Sequence, residues 1–176
     1  ADGFSTDRAF ILFVLALAEH VEELRLIGRL EPERGRAAYA IPDAVGFAPL
    51  PHYPSLRDLP GLLRATPATL RSIWGALDGL DAVWAIGPHP MSLPVALFAL
   101  VRGRRVVLGV RQDFPEYVRH RLPSPAWRPV MVVAWALEHS FRVLARRLPT
   151  VAVGAELARN YRRGRAPVLD LAVSLV

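Results

Sequence analysis

The sequence predicts an α/β domain built on a doubly wound parallel sheet with helices on both faces. Two observations carry that expectation. Strand-like and helix-like segments alternate down the whole chain, from "ELRLIGRL" to the closing "APVLDLAV". The strand-like segments are also apolar at consecutive positions, as in "VVLGV" and "TVAVG", and a strand without a polar face is one covered on both sides. The pattern is Rossmann-like. With 176 residues, 52% of them apolar, the chain suits one domain over residues 1–176.

Each element follows from its residues. The opening "ADGFSTDR" lacks a methionine and reads as the middle of a loop, so a first strand is expected to be missing ahead of it. Thr6 or Asp7 can cap a helix through "RAFILFVLALAEH", because a side-chain oxygen there satisfies free N–H groups of the first turn. That helix is apolar nearly all round and is expected to be buried against a sheet. Its apolar run, Ala9 to Ala18, is too short to cross a bilayer, and no basic segment or cleavage pattern precedes it, so a signal peptide is not expected.

"ELRLIGRL" reads as a strand, Glu31 to Arg36 as a polar loop, and "VGFAPLPHY" as a strand whose prolines place its later half at an edge. Two short amphipathic helices are expected between Ser55 and Leu77. "DAVWAIGPHP" follows as a strand ending at Gly87, then "SLPVALFALVR" as a helix and "RRVVLGV" as a strand. A helical region from Asp113 to Arg147 is broken by "LPSPAWRP". "TVAVG", "AELARNYRR" and "APVLDLAV" complete the chain as strand, helix and strand. No repeat or interior linker interrupts the series.

Composition excludes several classes of function. There is no cysteine, hence neither a disulfide framework nor a thiolate metal site, and the five histidines show no metal-binding spacing. Neither the GxGxxG dinucleotide fingerprint nor the GxxxxGK[ST] phosphate loop occurs, so a stand-alone dehydrogenase or ATPase is poorly supported. The net charge is +6, and all 22 basic residues are arginine. Nucleic-acid surfaces usually mix lysine with arginine and interleave aromatics, so no nucleic-acid partner is expected. Phosphate-bearing ligands or an anionic membrane surface suit the charge equally well.

In an open parallel sheet the ligand sits beyond the carboxyl ends of the strands. Arg111, Gln112 and Asp113 stand where "VVLGV" leaves the core, and would face that crevice. Neighbouring strand ends supply Gly28-Arg29, Gly87-Pro88-His89 and Gly154-Ala155-Glu156. Each has a plainer reading. Arg111 pairs with Asp113 or Glu116 to fasten a loop, and His89, between two prolines, is a partly exposed loop residue. Asp113 caps the following helix, with Pro115 in its first turn. Glu156 is an early-helix carboxylate favoured by the helix dipole. The Arg162, Arg163 and Arg165 cluster is a solvated helix end.

The segments "DGFSTDRAFILFVLALAE", "DAVWAIGPHPMS", "RRVVLGVRQDFPEYV" and "TVAVGAELARNYRRGRAPVLDLAVSLV", in that order, resemble the N-terminal domain of GT-B glycosyltransferases, specifically glycosyltransferase family 4. The resemblance spans nearly the whole chain and is specific mainly in its order. A glycine-containing opening loop is followed by a D-x-V strand ending in Gly-Pro, and then by a strand ending in a polar loop. "VAVGAELA" looks like the family's V-S-E-x-L segment. "VLDLAVSLV" stands where the family has its bridge to a second domain.

The resemblance implies the acceptor-side lobe of a retaining, metal-independent enzyme with no cofactor. Such an enzyme transfers a sugar from a nucleotide-sugar donor to a saccharide, lipid-linked saccharide or other hydroxyl acceptor. The donor would be held mainly by a C-terminal lobe bearing an E-x7-E motif, which nothing here matches, so the lobe alone is expected to be inactive. Many members place a histidine near the position of Arg111. A guanidinium cannot act as a base at neutral pH, but can stabilise negative charge.

On this reading Arg111, Asp113 and His89 are the catalytic candidates, and Gly3, Gly87, Gln112 and Glu156 the substrate-binding ones. Arg111 and Gln112 would meet donor phosphate or sugar hydroxyls, and His89 and Asp113 would orient the acceptor. Gly3 and Gly87 would allow close backbone approach. A non-catalytic Rossmann-like binding or interaction domain is the alternative. The expected location is cytoplasmic, at the inner face of the membrane: a basic lobe with Trp127 and Trp135 near Arg121 and Arg128 suits anionic headgroups. The plainer reading makes both tryptophans core residues of a long helix.

Overall fold

The computed structural model describes residues 4–7, 9–31, 37–51, 59–121 and 128–172. They divide into two compact units, Ala1–Ala76 and Leu77–Val176. The first unit contains β1 (Ser5–Thr6), α1 (Phe10–Ala18), β2 (Arg25–Arg29), β3 (Tyr39–Ala40), β4 (Gly46–Leu50) and α2 (Leu59–Ala76). β2 and β4 pair in parallel with Ile27 opposite Ala48, while the two-residue strands β1 and β3 pair antiparallel. Ile11 and Val14 of α1 pack with Ile41 and Val45, and Leu24, Leu26 and Tyr39 close over that cluster.

Three expectations for this unit are corrected. Neither Thr6 nor Asp7 caps α1: Ala9 occupies the N-cap position without a side-chain bond, and Asp7 Oδ1 accepts the Ala38 N–H at 2.9 Å. The carboxylate is drawn to the segment entering β3, a strand too short to leave a pattern in the sequence. The expected burial of α1 against a sheet is narrowed: the helix packs on strand residues Leu26 and Tyr39 with one face only. Only Ile11 and Val14 are buried, three residues apart on one face, and Leu12 and Phe13 are exposed. The third correction is α2, one helix running through Pro67 where two were expected. An interior proline removes a backbone bond and costs about 3 kcal/mol, yet Thr69, Ile73 and Ala76 form a buried stripe beyond it. Arg25 fastens the end of α2, its Nη1 donating to the Ala76 carbonyl at 3.2 Å and its Nη2 meeting Glu23 at 2.7 Å. Residues 32–36 of the expected loop lie outside the described residues.

The second unit holds β5 (Ala82–Gly87), α3 (Ser92–Val101), β6 (Arg105–Val110), α4 (Phe114–Arg121), α5 (Arg128–Ala145), β7 (Thr150–Val153), α6 (Ala155–Tyr161) and β8 (Val168–Leu171). These elements follow the expected order. Their strands form one four-stranded parallel sheet, ordered β5-β6-β7-β8. The molecule is thus α/β with a parallel sheet, compatible with a Rossmann-like fold.

The register explains the burial. Val83 lies opposite Val106, Ala85 opposite Leu108 and Gly87 opposite Val110, and Leu108 and Val110 continue to Thr150 and Ala152. All of these are buried, whereas Trp84, Ile86, Val107 and Val151 on the other face are only partly so. Parallel crossovers are right-handed. A strand order running in one direction therefore puts α3, α5 and α6 on the same face, and α3 touches α5 accordingly. The reversal of strand order that defines a doubly wound sheet does not occur within this unit. Beneath the helices Phe141, Ala145, Ala96, Ala99 and Ala158 are fully buried. The small residues let the helices approach the sheet closely, and the phenyl ring fills the remaining space.

Candidate functional site

β6 has a strand on either side, and its carboxyl end is where the polar triplet leaves the core. Arg111 follows Val110 directly, and its N–H reaches the Gly87 carbonyl at 3.4 Å. The structure therefore brings Arg111, Gln112 and Asp113 beside Gly87, Pro88 and His89 on the adjacent strand end. Arg111 and His89 are exposed, and Gln112 and Asp113 half-buried.

Local bonding fixes His89 and Asp113. The peptide between Gly87 and Pro88 is cis. The His89 carbonyl accepts both the Ser92 hydroxyl at 2.9 Å and the Ser92 N–H at 3.1 Å, which anchors the start of α3. His89 Nδ1 accepts the Met91 N–H at 3.1 Å. In the neutral ring the proton then resides on Nε2, which becomes a hydrogen-bond donor. Asp113 caps α4: its Oδ1 accepts the Glu116 N–H at 3.0 Å and its carbonyl the Tyr117 N–H at 3.0 Å. Its Oδ2 lies 3.7 Å from Arg142 Nη2. Glu116 is exposed and pairs with Arg119 at 3.3 Å.

The backbone at Gly87 is filled by the protein's own packing. A Cβ there would lie 2.5 Å from Phe141 Cζ, 2.6 Å from Ser92 Oγ and 2.8 Å from the His89 nitrogen. Gly87→Ala should therefore destabilise the second unit by about 1–3 kcal/mol through overpacking, read as a lowered denaturation midpoint. An unchanged midpoint would show that Phe141 and α3 can give way.

Sequence reasoning missed the group that holds this region together. Glu138, 1% exposed, sits in α5 behind the start of α4. Its Oε1 accepts Arg142 Nε at 2.8 Å and the Tyr161 hydroxyl at 2.8 Å, and its Oε2 lies 3.5 Å from the Phe114 N–H. One carboxylate thus joins α4, α5 and α6. Burial by itself would lower the Arg142 pKa, but the bond to Glu138 and the charges of Glu138, Tyr161 and Asp113 raise it above its ordinary value. Burial, followed by the charge and hydrogen bond of Glu138, pushes the Tyr161 phenol far above its ordinary value of 10.0. The sequence signal was available: Ala134, Leu137, Glu138, Phe141 and Ala145 share the buried face of α5, and Glu138 stands four residues before Arg142.

The raised phenol pKa has a consequence at high pH. The unfolded chain releases the Tyr161 proton near 10, while the folded chain retains it. The stability linked to Tyr161 is therefore fully present below about pH 10 and is lost as the pH rises beyond it. Tyr161→Phe should lower stability at neutral pH by about 1–3 kcal/mol, because Glu138 loses a donor. It should also flatten the alkaline decline, which denaturant titrations of both proteins at several pH values would measure. Parallel alkaline declines would remove Tyr161 from the account.

Glu156 is exposed in the first turn of α6, just past the end of β7, and follows Gly154 at φ +93. Gly28 and Arg29 end β2 in the first unit. Gly3 and Trp127 lie outside the described residues. No group of three or more His, Asp or Glu side chains that could hold a metal occurs among the described residues.

Arg111 and the Nε2 of His89 bring positive charge and a donor to one edge of the sheet. Asp113 is engaged in a cap and an ion pair, Glu116 in its pair with Arg119 and Glu138 in its buried network. The arrangement suits stabilisation of negative charge and orientation of hydroxyl groups more than proton abstraction by a carboxylate. Comparison of the chain with protein-family models, curated proteins and solved structures finds no match.

Proposed function

We propose that the chain is the acceptor-side lobe of a GT-B glycosyltransferase resembling family 4. On this reading it is part of a retaining enzyme that moves a sugar from a nucleotide donor to a hydroxyl acceptor. The observation that carries the proposal is the placement of Arg111 and Gln112 at the carboxyl end of a flanked parallel strand, one hydrogen bond from the Gly87–His89 strand end. That edge is where open α/β sheets take their ligands. Arg111 would balance charge on the donor phosphates, a role a guanidinium fills without changing protonation. Gln112 would meet sugar hydroxyls, and His89 would donate from Nε2 to the acceptor. Asp113 would contribute by holding α4 and Arg142 in register. Glu156 would be a more distant contact. No cofactor is required, and the cytoplasm, where nucleotide sugars are made, is the compartment this activity implies.

The non-catalytic binding-domain reading draws on the same edge, because caps and packing account for Asp113 and Gly87 without any ligand. Calorimetry separates the two. The chain by itself should bind common nucleotide sugars weakly or undetectably, since the donor would be held mainly by another lobe. Submicromolar binding by this chain would overturn the half-enzyme proposal in favour of a self-sufficient binding domain.

A further inference from the structure

The outward faces of α3 and α5 present an apolar surface that the strand-end site does not use. On α5, Arg128, Val132, Trp135, His139 and Val143 recur at three- and four-residue spacing, continued by Arg146 just past the helix end, and all are exposed, so they form one stripe along the helix. Val132 is 70% and Trp135 57% exposed, which removes the reading of Trp135 as a core residue. Beside the stripe, α3 exposes Leu97, Leu100 and Val101, the last at 75%. α5 is thus apolar on two sides, its inner face of Ala134, Leu137, Phe141 and Ala145 already buried. Contiguous exposed apolar surface of this kind marks an interaction site on a folded domain.

Two adjoining depressions lie along α5 and share His139 and Val143. One, of about 330 Å³, is apolar and bounded by Leu93, Leu97 and Leu144. The other, of about 170 Å³, is bounded by Arg142, Arg146, Arg163 and Asn160. The second is smaller than the roughly 300–1,000 Å³ of a site for a whole organic ligand, and matches a single phosphoryl group better. Arg146 and Arg163 have no carboxylate partner among the described residues. The only carboxylate on α3 or α5 is Glu138, which is buried, and Asp78 near the end of α3 is paired with Arg102.

We propose that this face of α3 and α5 docks on an anionic phospholipid surface, with Val132, Trp135 and Val101 entering the interface and Arg146 and Arg163 taking lipid phosphates. A basic pocket beside an apolar groove matches a headgroup beside acyl chains. Tryptophan suits the boundary between them, and flanking arginines are attracted to anionic lipid. A second copy of the chain is the poorer occupant. A two-fold pairing through this face would bring like arginine clusters together in a molecule whose net charge is +6. No helix among the described residues is long and apolar enough to cross a membrane, so the contact is peripheral.

Vesicle sedimentation of the 176-residue chain tests the proposal. The chain should pellet with equimolar phosphatidylcholine and phosphatidylglycerol, remain in solution with phosphatidylcholine alone, and dissociate as salt is raised. Arg146→Ala with Arg163→Ala should weaken binding roughly 30-fold, taking each surface arginine at its usual electrostatic contribution. Val132→Asp should weaken it roughly tenfold or more, and because Val132 is exposed its melting temperature should not change. Equal binding to neutral and anionic vesicles, or retention of binding by both variants, would overturn the proposal. So would inorganic phosphate binding to the arginine pair without vesicle binding. Concentration-dependent self-association abolished by Val132→Asp, with no vesicle binding, would overturn it in favour of a second copy.

Discussion

Glu138→Ala is expected to destabilise the second unit by about 3–5 kcal/mol, the cost of removing one partner from a buried, hydrogen-bonded ion pair. Three groups lose their acceptor at once: Arg142 Nε, the Tyr161 hydroxyl and the Phe114 N–H at the first turn of α4. Tyr161 is fully buried and cannot turn to water, whereas Arg142 is partly exposed and can. The residual damage should therefore concentrate on the α5–α6 contact. Combining Glu138→Leu with Tyr161→Phe should recover part of the loss, because an apolar pair there removes the one fully buried donor, the Tyr161 hydroxyl, together with its acceptor. Denaturant midpoints for the two single variants and the double variant would read a coupling of about 0.5–3 kcal/mol. Additive effects would mean that the bond between Glu138 and Tyr161 contributes nothing cooperative.

That network shows why the strand order was easier to read than the site. The second unit was legible because each strand, from "AVWAIG" to "VLDL", is a short apolar run bounded by turn residues, and each helix has a buried face at regular spacing. The first unit was less so. β1 and β3 have two residues each, too few for periodicity to register, and they recruit Asp7 away from the helix it was expected to cap. α2 continues through Pro67 because its buried stripe outweighs a local penalty, a tertiary effect that no propensity reveals. At the site, Arg111 and the Gly87–His89 end could be placed together from strand order alone. The pairing of Asp113 with Arg142 links residues 29 positions apart in sequence, which only the packed helices bring into reach. Trp135 looked equally apt for a core and for a surface, and which face of α5 meets the sheet decides between them.

If the glycosyltransferase proposal holds, Arg111→Ala should reduce turnover by about 100- to 1,000-fold, the usual cost of deleting one donor aimed at developing negative charge. Its side chain is exposed at the end of β6. Removing it should change stability by only about 0–1 kcal/mol, as for a surface ion pair. A large stability loss would instead indicate a structural pair. The direct measurement is nucleoside diphosphate release from a nucleotide sugar by the complete protein, recorded with the melting temperature of the same Arg111→Ala variant. The account predicts release that collapses in a protein that melts normally. Normal release, or release that falls only in step with the melting temperature, would contradict it and leave the triplet as loop scaffolding.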